Sequence, residues 1–201
     1  MKSYTLKKIS GAPNWGEIPT LNIDIVHRPA DVRAWAQLCW DETGIYVNLK
    51  AEEQDIRCEE NGPLAMICLD SCLECFIRPT EALSYFNFEF NPAGKLYLGY
   101  GVDMPGLVRL AVQDEQATFH PQPYRTDNGW GLTFQIPFTF IQHFLPEFKA
   151  YEGLNFYGNC YKCGDHTNHP HYLSWNTLKP GVLDFHCPAY FGRMILGGEE
   201  I

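Results

Sequence analysis

Glu74, Asn87, Glu89, Tyr157 and Asn159 are the side chains best placed to do chemistry in this sequence, because each falls on the polar side of an alternating run. Along 70–78, Leu73, Cys75 and Ile77 take one face of a strand while Cys72, Glu74, Phe76 and Arg78 take the other. Along 85–91, Phe86, Phe88 and Phe90 oppose Tyr85, Asn87, Glu89 and Asn91, and along 155–161 Phe156, Gly158 and Cys160 oppose Asn155, Tyr157, Asn159 and Tyr161. If the three strands are neighbours, the five polar side chains converge on one surface of mixed donors and acceptors with aromatic rings nearby. A pyranose asks for that mixture, since its hydroxyls both donate and accept while its ring face packs on an aromatic ring. An antiparallel sheet with one solvated face shows the same alternation for no functional reason, so both readings stay open on pattern alone.

Two other chemistries compete. Glu74 and Glu89 on adjacent strands could serve as acid and base on a glycosidic bond, which needs two carboxyls roughly 5 to 10 Å apart. Cys160, Cys163, His166 and His169 run Cys-x2-Cys-x2-His-x2-His with His171 close behind, and all are zinc-ligand types. The usual structural zinc site separates its ligand pairs by a longer stretch, and alternation turns Cys160 toward the core, so zinc is kept as the alternative and no metal as the main expectation. Cys68, Cys72 and Cys75 share one segment, but 72 and 75 point to opposite faces, as small buried residues do. The sequence holds no Gly-x4-Gly-Lys phosphate loop and no Gly-x-Ser-x-Gly elbow.

The elements that must carry these residues are strands. Residues 36–50 read as a hairpin through the polar turn Asp41-Glu42-Thr43-Gly44. Leu73 to Ile77 and Tyr85 to Phe90 read as a second pair, and Asn91-Pro92-Ala93-Gly94 turns the chain into 95–100. Residues 129–137 and 153–161 supply two more strands, and the one helical candidate is 138–145, bounded by Pro137 and Pro146. The expected class is mainly β: an antiparallel β-sandwich, immunoglobulin-like or jelly-roll-like, with at most one or two short helices. With no internal repeat and no linker-like stretch, 1–201 is expected to be a single domain.

A hydrophobic share of 45% and an aromatic share of 14% supply a full core. The formal charge of -9, with no cluster of Lys and Arg, argues against nucleic acid and leaves a neutral ligand better suited. No apolar run of signal-peptide or membrane length occurs, so as the sequence stands no membrane partner is expected and the protein is expected in the cytosol; a start upstream of Met1 would make it secreted or periplasmic. A chain of 201 residues with such a core does not need disulfides, and its eight cysteines are expected as thiols.

The order of motifs resembles carbohydrate-binding module family 9. The matching pieces are 40–47 (Trp40 to Val47), 70–77 (Asp70 to Ile77), 85–91 followed by Gly94, Gly129-Trp130 leading to Ile136-Pro137-Phe138, Asn155-Phe156-Tyr157, Ser174-Trp175, and Phe185-His186-Cys187-Pro188 with Phe191-Gly192. The resemblance, over roughly 20 to 197, implies a β-sandwich that binds terminal sugars without catalysis, often as an accessory module of glycoside hydrolases in carbohydrate catabolism. It implies that Glu74 matches the family's strand glutamate and that Asn87, Glu89 and Tyr157 occupy positions of polar sugar contacts. It also implies a clamp of two tryptophans, and here Cys68 stands at the first position and Phe185 at the second. Loss of one stacking wall removes on the order of 1 kcal/mol or more. Trp175 resembles a separate tryptophan of the fold's core. The family's calcium sites map onto no recognisable ligand set here, and no Met/His pair marks a haem site of the kind some related sandwiches carry. The alternatives are a structural or interaction domain that kept the fold and lost the ligand, and an accessory domain of a sugar hydrolase; the oligomeric state is left open.

Overall fold

The computed structural model describes residues 1–199. Five strands open the chain: β1 (Ser3–Lys8), β2 (Leu21–Ile23), β3 (Ile25–Arg28), β4 (Arg33–Trp40) and β5 (Gly44–Glu52). There follow β6 (Cys72–Arg78), β7 (Tyr85–Phe90), β8 (Leu96–Gly101), β9 (Val108–Arg109), α1 (Glu115–Phe119), β10 (Gln122–Thr126), β11 (Gly129–Pro137) and α2 (Phe138–Phe144). The chain closes with β12 (Asn155–Cys163), β13 (Tyr172–Ser174) and β14 (Gly192–Leu196).

Two layers result. One runs β10-β11-β5-β4 and the other β14-β12-β6-β7-β8-β9, with β1 bridging them. β1 does so by dividing its length: Ser3 to Leu6 pair with β14, while Lys7 and Lys8 pair with β4. Both of those pairings are parallel, whereas the other ladders are antiparallel. The mainly β sandwich expected from the sequence is thus present, with a parallel seam that local alternation does not reveal.

The core lies between the layers. Phe134 of β11 meets Phe88 and Phe90 of β7 with ring centroids 5.7 and 4.7 Å apart. The helix α2 sets Phe140 and Phe144 against Phe86, and α1 sets Phe119 against Phe88. Fully burying a phenylalanine stabilises by roughly 1.5–3 kcal/mol, so this aromatic block fixes how β7 sits and therefore which of its faces looks outward. Trp175 packs in the same core, and Gly192 lets its indole lie against the β14 backbone, where any Cβ would collide. The α1 helix adds to the single helix expected; Asp114 starts it by accepting a bond from the Ala117 amide at 2.8 Å. No helix among the described residues is long and apolar enough to cross a membrane.

Candidate functional site

β12, β6 and β7 are neighbours, and their side chains divide between faces as the alternation predicts. Tyr157, Asn159, Tyr161 and Cys163 register with Arg78, Phe76, Glu74 and Cys72 on the outer face, while Leu73, Cys75, Ile77 and the β7 phenylalanines line the core. This outer face is not a solvated surface. Residues 176–191 cross it, and Leu178 and Phe191 join Phe76, Tyr85 and Tyr161 in a second hydrophobic cluster. Polar contacts fasten the crossing: Tyr161 donates to the Phe185 carbonyl at 3.0 Å, Tyr85 bonds the His186 ring at 2.7 Å, and Asn159 exchanges bonds with the Asn176 backbone.

The crossing segment leaves one part of the face open. There a cavity of about 350 Å³ forms over the sheet, with Glu74 and Glu89 at its floor. Cys68, Tyr97, Tyr172 and Phe185 also line it, as do Asp165 and His186. Phe185 stacks on Tyr161 with centroids 4.1 Å apart and planes 10° apart, so one face of its ring is used by the protein. Tyr97 is held by Arg109, whose guanidinium lies 4.4 Å from the ring centroid.

Glu74 and Glu89 register with one another across the β6–β7 ladder and are only 3% and 6% exposed. Burial raises both carboxyls above the ordinary range, and for Glu89 the Glu74 charge adds to the effect. Two buried carboxyls side by side favour keeping at least one proton between them, so the floor both donates and accepts hydrogen bonds. Asn87 lies beside Glu89 and donates to its Oε1 at 2.7 Å.

Of the six residues expected at the site, Glu74, Glu89 and Phe185 line the cavity, and Asn87 supports Glu89 from beside it. Tyr157 and Asn159 lie on the correct face but outside the cavity. Tyr157 stacks under the Arg78 guanidinium at 3.9 Å, and Asn159 is fully buried against Asn176. Asn159 thereby fastens the crossing segment, and Tyr157 packs on Arg78, whose Nη1 donates to the Pro188 carbonyl. Tyr97, Tyr172 and Asp165 were not singled out from the sequence. Tyr97 was accessible to the same reasoning, because it stands directly opposite Glu89 on β8.

The Cys160–His169 zinc loop does not form. Cys160 faces the main core opposite Cys75, Cys163 faces the cavity side, and His166 and His169 are exposed. Three positions apart on one strand, the two cysteines must point to opposite sides of the sheet. The donor group that does assemble is Cys72, Glu74 and Cys163, all buried, with their donor atoms within 4.8 Å of one another. Two thiols and one carboxylate do not suit calcium, which takes six to eight oxygens. Burial pushes the Cys72 thiol up to about 12, and contact with Cys72 raises Cys163, so both are protonated as they stand.

A two-layer β-sandwich whose outer sheet face carries a small cavity of carboxyls and aromatic rings has the architecture of a sugar-binding module. The sequence profile of carbohydrate-binding family 9 matches residues 31–196, and the chain belongs to that family. Among solved structures, one described as a candidate carbohydrate-binding protein from Bacteroides uniformis ATCC 8492 is 25% identical, with a TM-score of 0.83 over 97% of this chain and 99% of that one. A family 9 module from Caldicellulosiruptor kristjanssonii in complex with glucose superposes with a TM-score of 0.71 at 12% identity, covering 98% of this chain and 96% of its own. The same source gives a complex with cellotriose, with a TM-score of 0.72 at 12% identity over 98% of this chain and 94% of that one. At 12% identity the likeness is one of fold. Among curated proteins, none matches this sequence.

Proposed function

We propose that the protein holds the end of a glucose-type saccharide in the cavity over Glu74 and Glu89, and does so without turnover. The observation that carries this reading is the convergence of two buried carboxyls with the rings of Tyr97, Tyr172 and Phe185 on one cavity. Its volume of about 350 Å³ falls at the small end of ligand pockets, which span roughly 300–1,000 Å³ and suit one or two sugar rings. Glu74 and Glu89 bond hydroxyls from the sheet, Asn87 fixes Glu89, and Phe185 packs on the sugar ring. The glucose and cellotriose complexes of the Caldicellulosiruptor modules support a glucose-type ligand. With Cys68 in place of a second stacking wall, binding is weaker than a two-ring clamp gives, by on the order of 1 kcal/mol or more. All eight cysteines are free, which suits the cytosol and a role in carbohydrate breakdown there.

Calorimetric titration with glucose, cellobiose and cellotriose tests this. One site is expected, weakened at least tenfold by Phe185→Ala and abolished by Glu89→Leu, which keeps bulk but removes the hydrogen bonds. Binding indifferent to both variants, or hydrolysis of cellotriose during the titration, would contradict it.

A further inference from the structure

We propose that Cys72, Glu74 and Cys163 form a binding site for a single zinc-type divalent cation at the floor of the cavity. The site rests on geometry independent of any sugar. Cys72 and Cys163 stand directly opposite on β6 and β12, and Glu74 follows two residues after Cys72 on the same face. Its Oε1 lies 2.9 Å from Cys163 Sγ and 3.8 Å from Cys72 Sγ. A tetrahedral metal with bonds of about 2.3 Å to sulfur and about 2.0 Å to oxygen sets its donors roughly 3.5–3.8 Å apart, so side-chain adjustments of about an ångström seat the ion.

The remaining requirements of a metal site are also present. The ligands project from strands packed on the main core, which holds them in place without the metal. Glu74 and Cys163 both line the cavity, giving the ion a path in from solvent. Three protein ligands leave a fourth tetrahedral position, and that position opens on the cavity, where a water or a ligand oxygen completes the shell. Two thiolates and a carboxylate select zinc, or cobalt as its spectroscopic substitute, over calcium and magnesium. Binding exchanges the two S–H protons for S–metal bonds and releases them to solvent, so uptake strengthens as pH rises.

The test is titration of the reduced protein with Co²⁺ in the absence of oxygen and of sugar, followed by displacement with Zn²⁺. One equivalent is expected, with a sulfur-to-cobalt charge-transfer band in the near ultraviolet and intense visible bands of tetrahedral cobalt. Cys72→Ser and Cys163→Ser are expected to lose at least 100-fold in affinity and Glu74→Gln at least tenfold, while the exposed-thiol variant Cys58→Ala binds as the parent does. Should the cysteine variants not fold, the unmodified protein still decides the matter. Absence of the charge-transfer band, a band lost with Cys58→Ala instead, or recovery of a Cys72–Cys163 disulfide that takes up no metal would overturn the proposal. Because no saccharide enters the titration, its failure leaves the sugar reading untouched, and failure of sugar binding leaves the metal site untouched.

Discussion

Glu74 and Glu89 face each other across the β6–β7 ladder, both buried, with the Asn87 amide bonded to Glu89. Burial raises both carboxyls, so at pH 7 the folded chain holds a proton that the unfolded chain releases, and this opposes folding. The Glu89→Gln variant keeps the shape and the acceptor for Asn87 while removing one ionisable group. It is expected to raise the stability measured by urea unfolding at pH 7 by about 1 kcal/mol. A loss of stability would show that the pair is held by contacts beyond those described.

His171 gives the fold an acid-sensitive point away from the cavity. The imidazole is buried, its Nε2 lies 2.7 Å from Lys162 Nζ, and Glu53 Oε2 accepts from the same ammonium at 3.1 Å. Burial, and then the Lys162 charge, lower the ring to about 4 from an ordinary 6.5. The unfolded chain therefore takes up this proton below pH 6.5 while the folded chain does not until about pH 4. The neutral ring's contribution is complete above 6.5 and is lost as pH falls toward 4. In His171→Gln, unfolding free energy between those pH values should fall less steeply than in the parent; an unchanged slope would assign the acid sensitivity elsewhere.

Phe191 anchors the segment that crosses the outer face. Its ring meets Tyr85 at 5.5 Å and Phe76 at 6.2 Å, both edge-on. Phe191→Ala is expected to cost about 3–5 kcal/mol in chemical denaturation and to weaken sugar binding through the displaced Phe185. Loss of stability with sugar affinity intact would separate the crossing segment from the cavity.

The parts of this fold that follow period two were legible in the sequence. The faces of β6, β7 and β12 and the hairpin of β4 and β5 follow alternation, and the helix α2 is bounded by prolines. Alternation likewise puts Glu74, Glu89 and Asn87 on the outer face, while Phe185 rests on family resemblance. Tyr157 and Asn159 show where alternation stops: it assigns a face correctly but says nothing of a distant segment folded over it. The residues that cover them, 176–191, have no strand period, and their attachment through Asn176, Phe185 and His186 is long-range. The parallel seam at β1 is hidden for the same reason, since its partners lie at opposite ends of the chain. α1 and Tyr97 both escape notice despite local signals, the Asp114 cap for one and the place opposite Glu89 for the other.

Amide chemical-shift mapping during a cellotriose titration decides whether a saccharide sits in the cavity over Glu74 and Glu89. The expected result is a saturable set of shifts at Glu74, Glu89, Tyr97 and Phe185, with Asn159 and the core residue Phe88 unmoved. Shifts centred on Tyr157 and Asn159, or a spectrum that glucose and cellotriose both leave unchanged, would contradict it.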